Sequence, residues 1–145
     1  MLTPLTYLIV LATVCAYAFL RGGTESRLAA TICVVASVAS LVLASPWANS
    51  YSRIESGIFI VDMAVLVGFT AIALRSDRFW PLWIAGLQLT TIIAHLFKVI
   101  DLDLLPAVYA AAARFWVYPI FLVIVIGTWR SHRRSRKEQA DFALP

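Results

Sequence analysis

Five long apolar runs constrain this chain more than any other feature. They cover about residues 3–20, 28–46, 56–74, 79–98 and 105–129, and little sequence remains between them. Roughly 20 apolar residues in a helix are needed to cross a hydrocarbon core about 30 Å thick. The sequence therefore predicts an all-α integral membrane protein, with a bundle of five transmembrane helices in residues 1–130 and a basic tail in residues 131–145.

Composition supports this architecture over its alternatives. Of the 145 residues, 61% are hydrophobic and 14% are charged, which is more apolar and less charged than an ordinary soluble domain. The strands of a membrane β-barrel would be shorter and would alternate in polarity, whereas these runs are continuously apolar. A helix also satisfies its own backbone hydrogen bonds within the bilayer. Helices are therefore expected throughout.

The distribution of basic residues predicts how the chain is threaded. Arg and Lys in short loops remain on the cytoplasmic side of a membrane, so the basic tail is expected inside. Five spans then place the N-terminus outside and the C-terminus in the cytoplasm. The basic residues predicted inside are Arg21, Arg27, Arg75, Arg78, Arg130, Arg133, Arg134, Arg136 and Lys137. Only Arg53 and Lys98 are predicted outside, and Arg114 lies within the fifth span.

A cleaved signal sequence is the alternative interpretation of the first span. The sequence "AYA" at Ala16–Ala18 resembles a small-residue cleavage site. However, no basic residue precedes the apolar run, and cleavage would reverse every later loop against the distribution of basic residues. We therefore expect the first span to be retained.

Polar residues concentrate in the fourth span and in the loop that follows it. The residues at helical spacings of three, four and three are Gln88, Thr91, His95 and Lys98. These spacings place the four side chains on one face of a helix. Asp101 and Asp103 follow in the predicted outer loop. The sequence therefore predicts a polar stripe that rises toward the outer surface, with two acidic residues at its outer mouth.

Other spans carry ionisable residues at a similar depth. Glu55 and Asp62 lie on one face of the third span, and Arg114 lies near the start of the fifth. A charge inside a membrane costs about 2.5 kcal/mol or more, so such residues face the protein interior and find partners. We expect Asp62 to pair with Arg114 and to form, with the stripe, a polar chamber open to the outside. Alternatively, Arg114 lies in the outer headgroup region beside Trp116 and Tyr118.

The residues of the predicted chamber could have a structural role or a functional one. An Asp–Arg pair can serve only to fix helix register. His95 could be a structural histidine, a proton relay or a haem ligand. Haem in a bundle needs two axial histidines, and the only other one is His132 in the tail, so haem would require two subunits. Cys15 and Cys33 are interpreted as small packing residues.

No catalytic motif is present in the sequence. It contains no nucleophile with a neighbouring base, no set of metal ligands at suitable spacing and no phosphate-binding loop. We therefore expect neither enzymatic activity nor a cofactor or metal ion.

Partners are predicted from two patterns. Small residues recur at four-residue spacing in the second span, at Ala36, Ser40 and Ala44, and such ridges allow close helix packing within one chain or in a homo-oligomer. The basic residues of the tail are Arg130, Arg133, Arg134, Arg136 and Lys137. They are suited to anionic lipid, or to an acidic cytoplasmic protein or ligand. The lack of aromatic residues among them argues against sequence-specific nucleic-acid binding.

Two functions fit these features. The first is an oligomeric ion channel or pore whose outer vestibule is the polar chamber; a gated toxic effector of a defence or stress system is one natural setting for it. The second is a non-conducting accessory or scaffold subunit that binds a partner through its helices or its tail. A proton-coupled carrier is less favoured because the sequence shows no internal repeat. The general form is that of small multi-span proteins of the bacterial inner membrane.

Overall fold

The computed structural model describes residues 4–43, 51–100 and 115–142, and within them the side chains of residues 5–43, 57–96 and 115–139. All regular structure in these ranges is helical, which confirms the predicted all-α class for the described part of the chain. The five helices are α1 (Pro4–Arg21), α2 (Thr24–Leu43), α3 (Tyr51–Arg75), α4 (Trp80–Ile100) and α5 (Val117–Phe142).

Two glycines form the turn between α1 and α2. The amide of Gly22 donates to the carbonyl oxygen of Ala18 at 2.9 Å, and the amide of Arg27 donates to the carbonyl oxygen of Gly23 at 3.1 Å. A Cβ on Gly22 would lie 2.6 Å from the Cβ of Ser26, closer than two carbons can approach. A larger residue at position 22 would therefore force the two helices apart.

The turn between α3 and α4 is equally short. The amide of Arg78 donates to Ser76 Oγ at 3.1 Å, and α4 begins two residues later at Trp80. Pro81 follows in the first turn of α4, where a missing amide hydrogen costs nothing. Both turns join neighbouring helices that run in opposite directions.

Contacts along the helices define the direction of each one. Near the start of α1, the hydroxyl of Tyr7 is 2.6 Å from Ser37 Oγ near the end of α2, so these helices are antiparallel. Tyr7 also packs on Phe121 in the first half of α5, with ring centroids 6.0 Å apart. At the other end of α1, Arg21 contacts His132 in the second half of α5. Helix α5 is therefore parallel to α1.

The five helices pack in a ring. Each helix packs on the helices that precede and follow it in sequence, and α5 packs on α1 to close the ring. The interior is filled by one apolar cluster drawn from α1 to α5. Its buried members are Leu11, Val14, Cys15, Ala18, Ala29, Ala30, Val65, Phe69, Ile72, Ile84, Ile120, Phe121 and Ile124. Apolar side chains therefore fill the interior of the described bundle.

Two helical segments are long and apolar enough to cross a membrane. Among the described residues they are Thr24–Leu43 and Gly57–Arg75; Leu5–Arg21 and Trp80–Leu96 are apolar but shorter. The outward faces of the bundle are also apolar, with large side chains such as Val35, Val38 and Ile60 more than half exposed. In water this surface would be unfavourable, because soluble proteins rarely expose large contiguous apolar patches.

The alternating direction of the helices gathers basic residues at one end of the bundle. Arg21 ends α1, Arg27 lies in the first turn of α2, Arg75 ends α3 and Arg78 precedes α4. The second half of α5 carries Arg130 and the basic residues after it at the same end. We call this the basic end. Arg53 lies near the start of α3 and Lys98 near the end of α4, and both positions are at the other end of the bundle. The two groups of basic residues therefore lie at different ends, as the sequence predicted.

Helix α5 continues well past the predicted end of the fifth span at residue 129. It runs for 26 residues to Phe142, or about 39 Å at about 1.5 Å per residue. Arg, Lys, Glu, Gln and Ala dominate its last part, and all of these residues favour helix. The predicted basic tail is therefore largely a helical extension of α5, exposed from Arg133 onward over the residues whose side chains are described.

Candidate functional site

The main polar site lies between α3 and α4, near the middle of α3. Gln88 on α4 points its amide Nε2 toward α3, where it donates to Asp62 Oδ1 at 3.1 Å and to the carbonyl oxygen of Asp62 at 3.2 Å. Gln88 is only 4% exposed. One buried amide group thus holds both the backbone and the side chain of Asp62.

His95 completes this site from two turns further along α4. Its Nε2 lies 2.9 Å from Asp62 Oδ2. Because an ionised carboxylate can only accept, the hydrogen of this bond lies on Nε2 whenever Asp62 is charged. We refer to Asp62, Gln88 and His95 as the polar cluster.

The polar cluster is shielded but not sealed. The side chains of Asp62 and His95 are 23% and 15% exposed, respectively. The ring of Phe59, one turn before Asp62 on α3, meets the imidazole of His95 edge-on with centroids 5.9 Å apart. An aromatic wall on one side and a buried amide on the other hold the carboxylate–imidazole pair in place while leaving part of it accessible.

Thr91 lies on the same face of α4 as Gln88 and His95, as its spacing predicts. It is 6% exposed, and its hydroxyl donates to the carbonyl oxygen of Leu87 at 3.5 Å, within its own helix. It therefore contributes polarity beside the polar cluster, while its hydrogen bond is local to α4.

The remaining predicted chamber residues lie outside the described side chains. These are Glu55, Lys98, Asp101, Asp103 and Arg114. The predicted pair of Asp62 with Arg114 therefore stays a prediction. Among the residues that the structure describes, the hydrogen-bond partners of the Asp62 carboxylate are Gln88 and His95.

The chemistry of the polar cluster is that of a hydrogen-bonded acid–base pair. Each oxygen of the Asp62 carboxylate already accepts a hydrogen bond. No group of three or more His, Cys, Asp or Glu side chains suited to a metal ion occurs in the described ranges. The pair can share, take up and release a proton, because imidazole and carboxylate are both common proton carriers in proteins.

A second set of buried polar groups lies toward the basic end. Ser26 on α2 and Thr128 and Ser131 on α5 are all at most 5% exposed. Within the described part of the chain, Thr128 Oγ1 and Trp80 Nε1 are buried without a hydrogen-bond partner. Trp80 lies flat across Gly127, next to Thr128, with indole carbons 2.6–3.0 Å from where a Cβ on Gly127 would be.

Fully buried apolar side chains separate these two polar regions. Phe69 on α3, Ile84 on α4 and Ile124 on α5 are at most 1% exposed. Phe69 lies two turns from Asp62 toward the basic end, and Ile124 lies one turn from Thr128 away from it. We call these three residues the apolar layer. It lies between the polar cluster and the buried polar groups near the basic end.

Surface contacts at the basic end tie its helices together. Arg21 Nη1 on α1 lies 3.2 Å from Nε2 of His132 on α5, with the guanidinium as donor. Arg78 and Glu25 join the α3–α4 turn to α2, with 3.8 Å between Nε and Oε1. Both pairs are partly exposed, so each adds at most about 1 kcal/mol to stability.

The exposed part of α5 carries local contacts of its own. The guanidinium of Arg133 lies 4.6 Å from the ring centroid of Trp129, a cation–π arrangement. Arg134 and Glu138 approach to 4.0 Å one turn apart. The other basic residues predicted in this tail, Arg130, Arg136 and Lys137, lie on the same helix.

Similarity to known proteins gives no family assignment. No protein-family model, no curated protein and no solved structure matches the chain. Function must therefore be inferred from the residues and their geometry.

Sequence reasoning missed several residues of these sites. Phe59 was one apolar residue among many, and nothing in its spacing marked it as the wall beside His95. Thr128 and Ser131 are three residues apart, a spacing that could have indicated a buried polar face on α5; Ser131 Oγ lies 3.7 Å from where a Cβ on Gly23 would be. The orphaned Nε1 of Trp80 depends on rotation of α4 against α5, which the sequence alone does not specify.

Proposed function

We propose that this protein is an oligomeric ion channel of the bacterial inner membrane, with five membrane-spanning helices and the polar cluster in its conduction path. The observation that carries the proposal is the Asp62–His95 pair, with 2.9 Å between Oδ2 and Nε2. Asp62 lies near the middle of α3, and it is the one charged residue between Gly57 and Leu74. Ionisable groups within a membrane-spanning helix are costly, so they mark a functional site or a contact that fixes helix register.

Partial exposure of the pair favours a conducting role. A pair that only fixed helix register would be best buried completely, because exposure of its charges to lipid adds a desolvation cost. Asp62 and His95 keep 23% and 15% of their side-chain surface exposed. In a membrane, that surface would have to face water or a second copy of the chain.

The filled interior favours an oligomer over a monomeric pore. Phe69, Ile84 and Ile124 are fully buried apolar side chains inside the single bundle. A path past Asp62 and His95 therefore runs between copies, or opens only when the apolar layer moves. Apolar constrictions of this kind gate channels by excluding water.

The basic end supports an orientation for this channel. Arginines at helix termini would interact with anionic lipid and remain on the cytoplasmic side. In this orientation the exposed part of α5 projects into the cytoplasm, and the polar cluster is reached from the outer half of the membrane.

A non-conducting accessory subunit is the second candidate, and one observation favours it. Every hydrogen-bonding atom of the Asp62 carboxylate already has a partner in a neighbouring helix, as a purely structural cluster requires. The part of α5 that is exposed from Arg133 onward would then be the partner-binding element, with Arg133, Arg134 and Lys137 within about one turn of each other.

Reconstitution of the unmodified protein distinguishes these candidates. The protein would be purified in a mild detergent, its oligomeric mass would be measured, and the same sample would be recorded in a planar bilayer. Discrete unitary currents from a defined oligomer are expected. A folded protein of defined mass that is silent across voltage and pH would contradict the channel proposal and favour the accessory subunit.

A further inference from the structure

We infer that the ion handled by the polar cluster is the proton, an inference that rests on the proposed channel function. Asp62 is hydrogen-bonded at both of its carboxylate oxygens. Its Oδ1 accepts from Gln88 Nε2 at 3.1 Å and its Oδ2 is 2.9 Å from His95 Nε2. Each oxygen of the carboxylate therefore already accepts one hydrogen bond from α4.

A metal cation would need a different set of ligands. A partly dehydrated cation in a selectivity filter is stabilised by several oxygens that replace its water shell. At the polar cluster, Gln88 and His95 each present a hydrogen to the carboxylate, so a cation would have to share the oxygens of Asp62 with two N–H donors. Gln88 is buried on α4, so its amide cannot move away without leaving a polar group unsatisfied.

A proton needs only the contacts that are present. One proton lies between His95 Nε2 and Asp62 Oδ2. When His95 takes up a second proton at Nδ1, its Nε2–H bond breaks and an O–H bond forms on Asp62. The resulting carboxylic acid then releases that proton on the far side. The imidazole is then left with its N–H at Nδ1. It returns that proton to water on the entry side and, after the ring turns, takes one at Nε2 from the same side, so in sum one proton has crossed the pair and no electron has moved.

The surroundings of the pair are compatible with this transfer. Phe59 packs edge-on with the imidazole and helps to hold the ring close to Asp62. Besides Asp62, the charged residues near the pair on α3 and α4 are Glu55 and Lys98. Arg114 is predicted at the same depth. The side chains of Glu55, Lys98 and Arg114 lie outside the described ranges. The apolar layer then acts as the barrier that keeps protons from leaking when the channel is closed.

Ion substitution on the unmodified protein tests the inference without any variant. Reversal potentials would be measured in planar bilayers under a proton gradient and, separately, under K⁺ and Na⁺ gradients. For proton selectivity, the reversal potential is expected to shift by about 59 mV for each tenfold difference in proton concentration. It should not respond to the K⁺ or Na⁺ gradient.

Matched variants locate the proton path at the polar cluster. Asp62→Asn and His95→Gln keep the approximate size of each side chain and leave it polar, but the new side chains cannot carry a proton, and each change should lower proton flux into vesicles at least tenfold. Asp77→Asn and His132→Gln make the same chemical changes in the α3–α4 turn and on α5 at the basic end, and should leave flux unchanged. Equal loss in the site and control variants would overturn the assignment to this cluster.

The outcomes separate the inference from the proposed function. Currents that follow the K⁺ or Na⁺ gradient would overturn proton selectivity while leaving the channel standing. No current under any gradient, from a folded oligomer, would overturn the channel and the inference together. A reversal potential set by pH alone would support both.

Discussion

Gly127 on α5 offers a sharp test of how α4 packs on α5. A Cβ at this position would lie 2.6 Å from Cδ2 and 2.7 Å from Cγ of Trp80. The indole is rigid, and the next residue, Pro81, is fully buried, so the ring cannot easily withdraw. Overpacking of this kind typically costs about 1–3 kcal/mol.

Gly86 on α4 provides the matched control, because nothing lies within 4 Å of a Cβ built on it. Replacing a glycine inside a helix by alanine gains about 0.8–1 kcal/mol of helix propensity in both variants. The propensity gain cancels when the two are compared. The difference between Gly127→Ala and Gly86→Ala therefore isolates the overpacking cost of about 1–3 kcal/mol.

Thermal unfolding in detergent, followed by tryptophan fluorescence, measures this difference. At about 2–4 °C per kcal/mol for a chain of roughly this size, Gly127→Ala should melt about 2–12 °C below Gly86→Ala. Gly86→Ala itself should melt at or slightly above the parent protein. Equal midpoints for the two variants would refute the close approach of α4 to α5 at this position.

Three further outcomes follow from the helix contacts. In a double-mutant cycle of Asp62→Ala and His95→Ala, the denaturation free energies should show a coupling of about 1.5–3 kcal/mol, since the bond involves a charged group; additive effects would argue against the pair. A parallel cycle of Asp62→Asn and Arg114→Gln tests the predicted ion pair, and recovery of stability in the double variant is expected. Tyr7→Phe should cost about 1 kcal/mol through loss of its bond to Ser37, and no change in unfolding midpoint would count against that contact.

The helices themselves were the most predictable part of the structure. Continuous apolar runs of this length identify helices, because strands are much shorter. Their boundaries were harder to predict. Helix α3 begins at Tyr51 and not near residue 56, and α5 continues to Phe142, because polar and charged residues that extend a helix do not extend an apolar run.

The composition of the candidate site was partly predictable. Helical spacing places Gln88, Thr91 and His95 on one face of α4. In the structure, Gln88 and His95 form hydrogen bonds with Asp62. The partner of Asp62 could not be chosen from the sequence, because depth along a helix is encoded in the sequence, whereas rotation of α3 against α4 depends on packing. For the same reason, the orphaned groups of Trp80 and Thr128 were not predicted.

The separation of basic residues between the two ends of the bundle follows from the sequence pattern and the turn geometry together. The positive-inside pattern gave the grouping of basic residues, and the two short turns make that grouping a geometric necessity. Gly22–Gly23 and the segment before Trp80 reverse the chain within a few residues, so Arg21 and Arg27, or Arg75 and Arg78, must lie at the same end. A longer connection at either place would have weakened this inference.

Single-channel recording of Asp62→Asn beside Asp77→Asn tests the central claim most directly. Both variants lose one carboxylate charge, but Asp62 lies between α3 and α4 in the polar cluster, and Asp77 lies exposed in the turn between the same helices. If the polar cluster is in the conduction path, Asp62→Asn should lose or alter the unitary current while the Asp77→Asn oligomer conducts as the parent protein does. Parent-like currents from a correctly assembled Asp62→Asn oligomer would contradict the account.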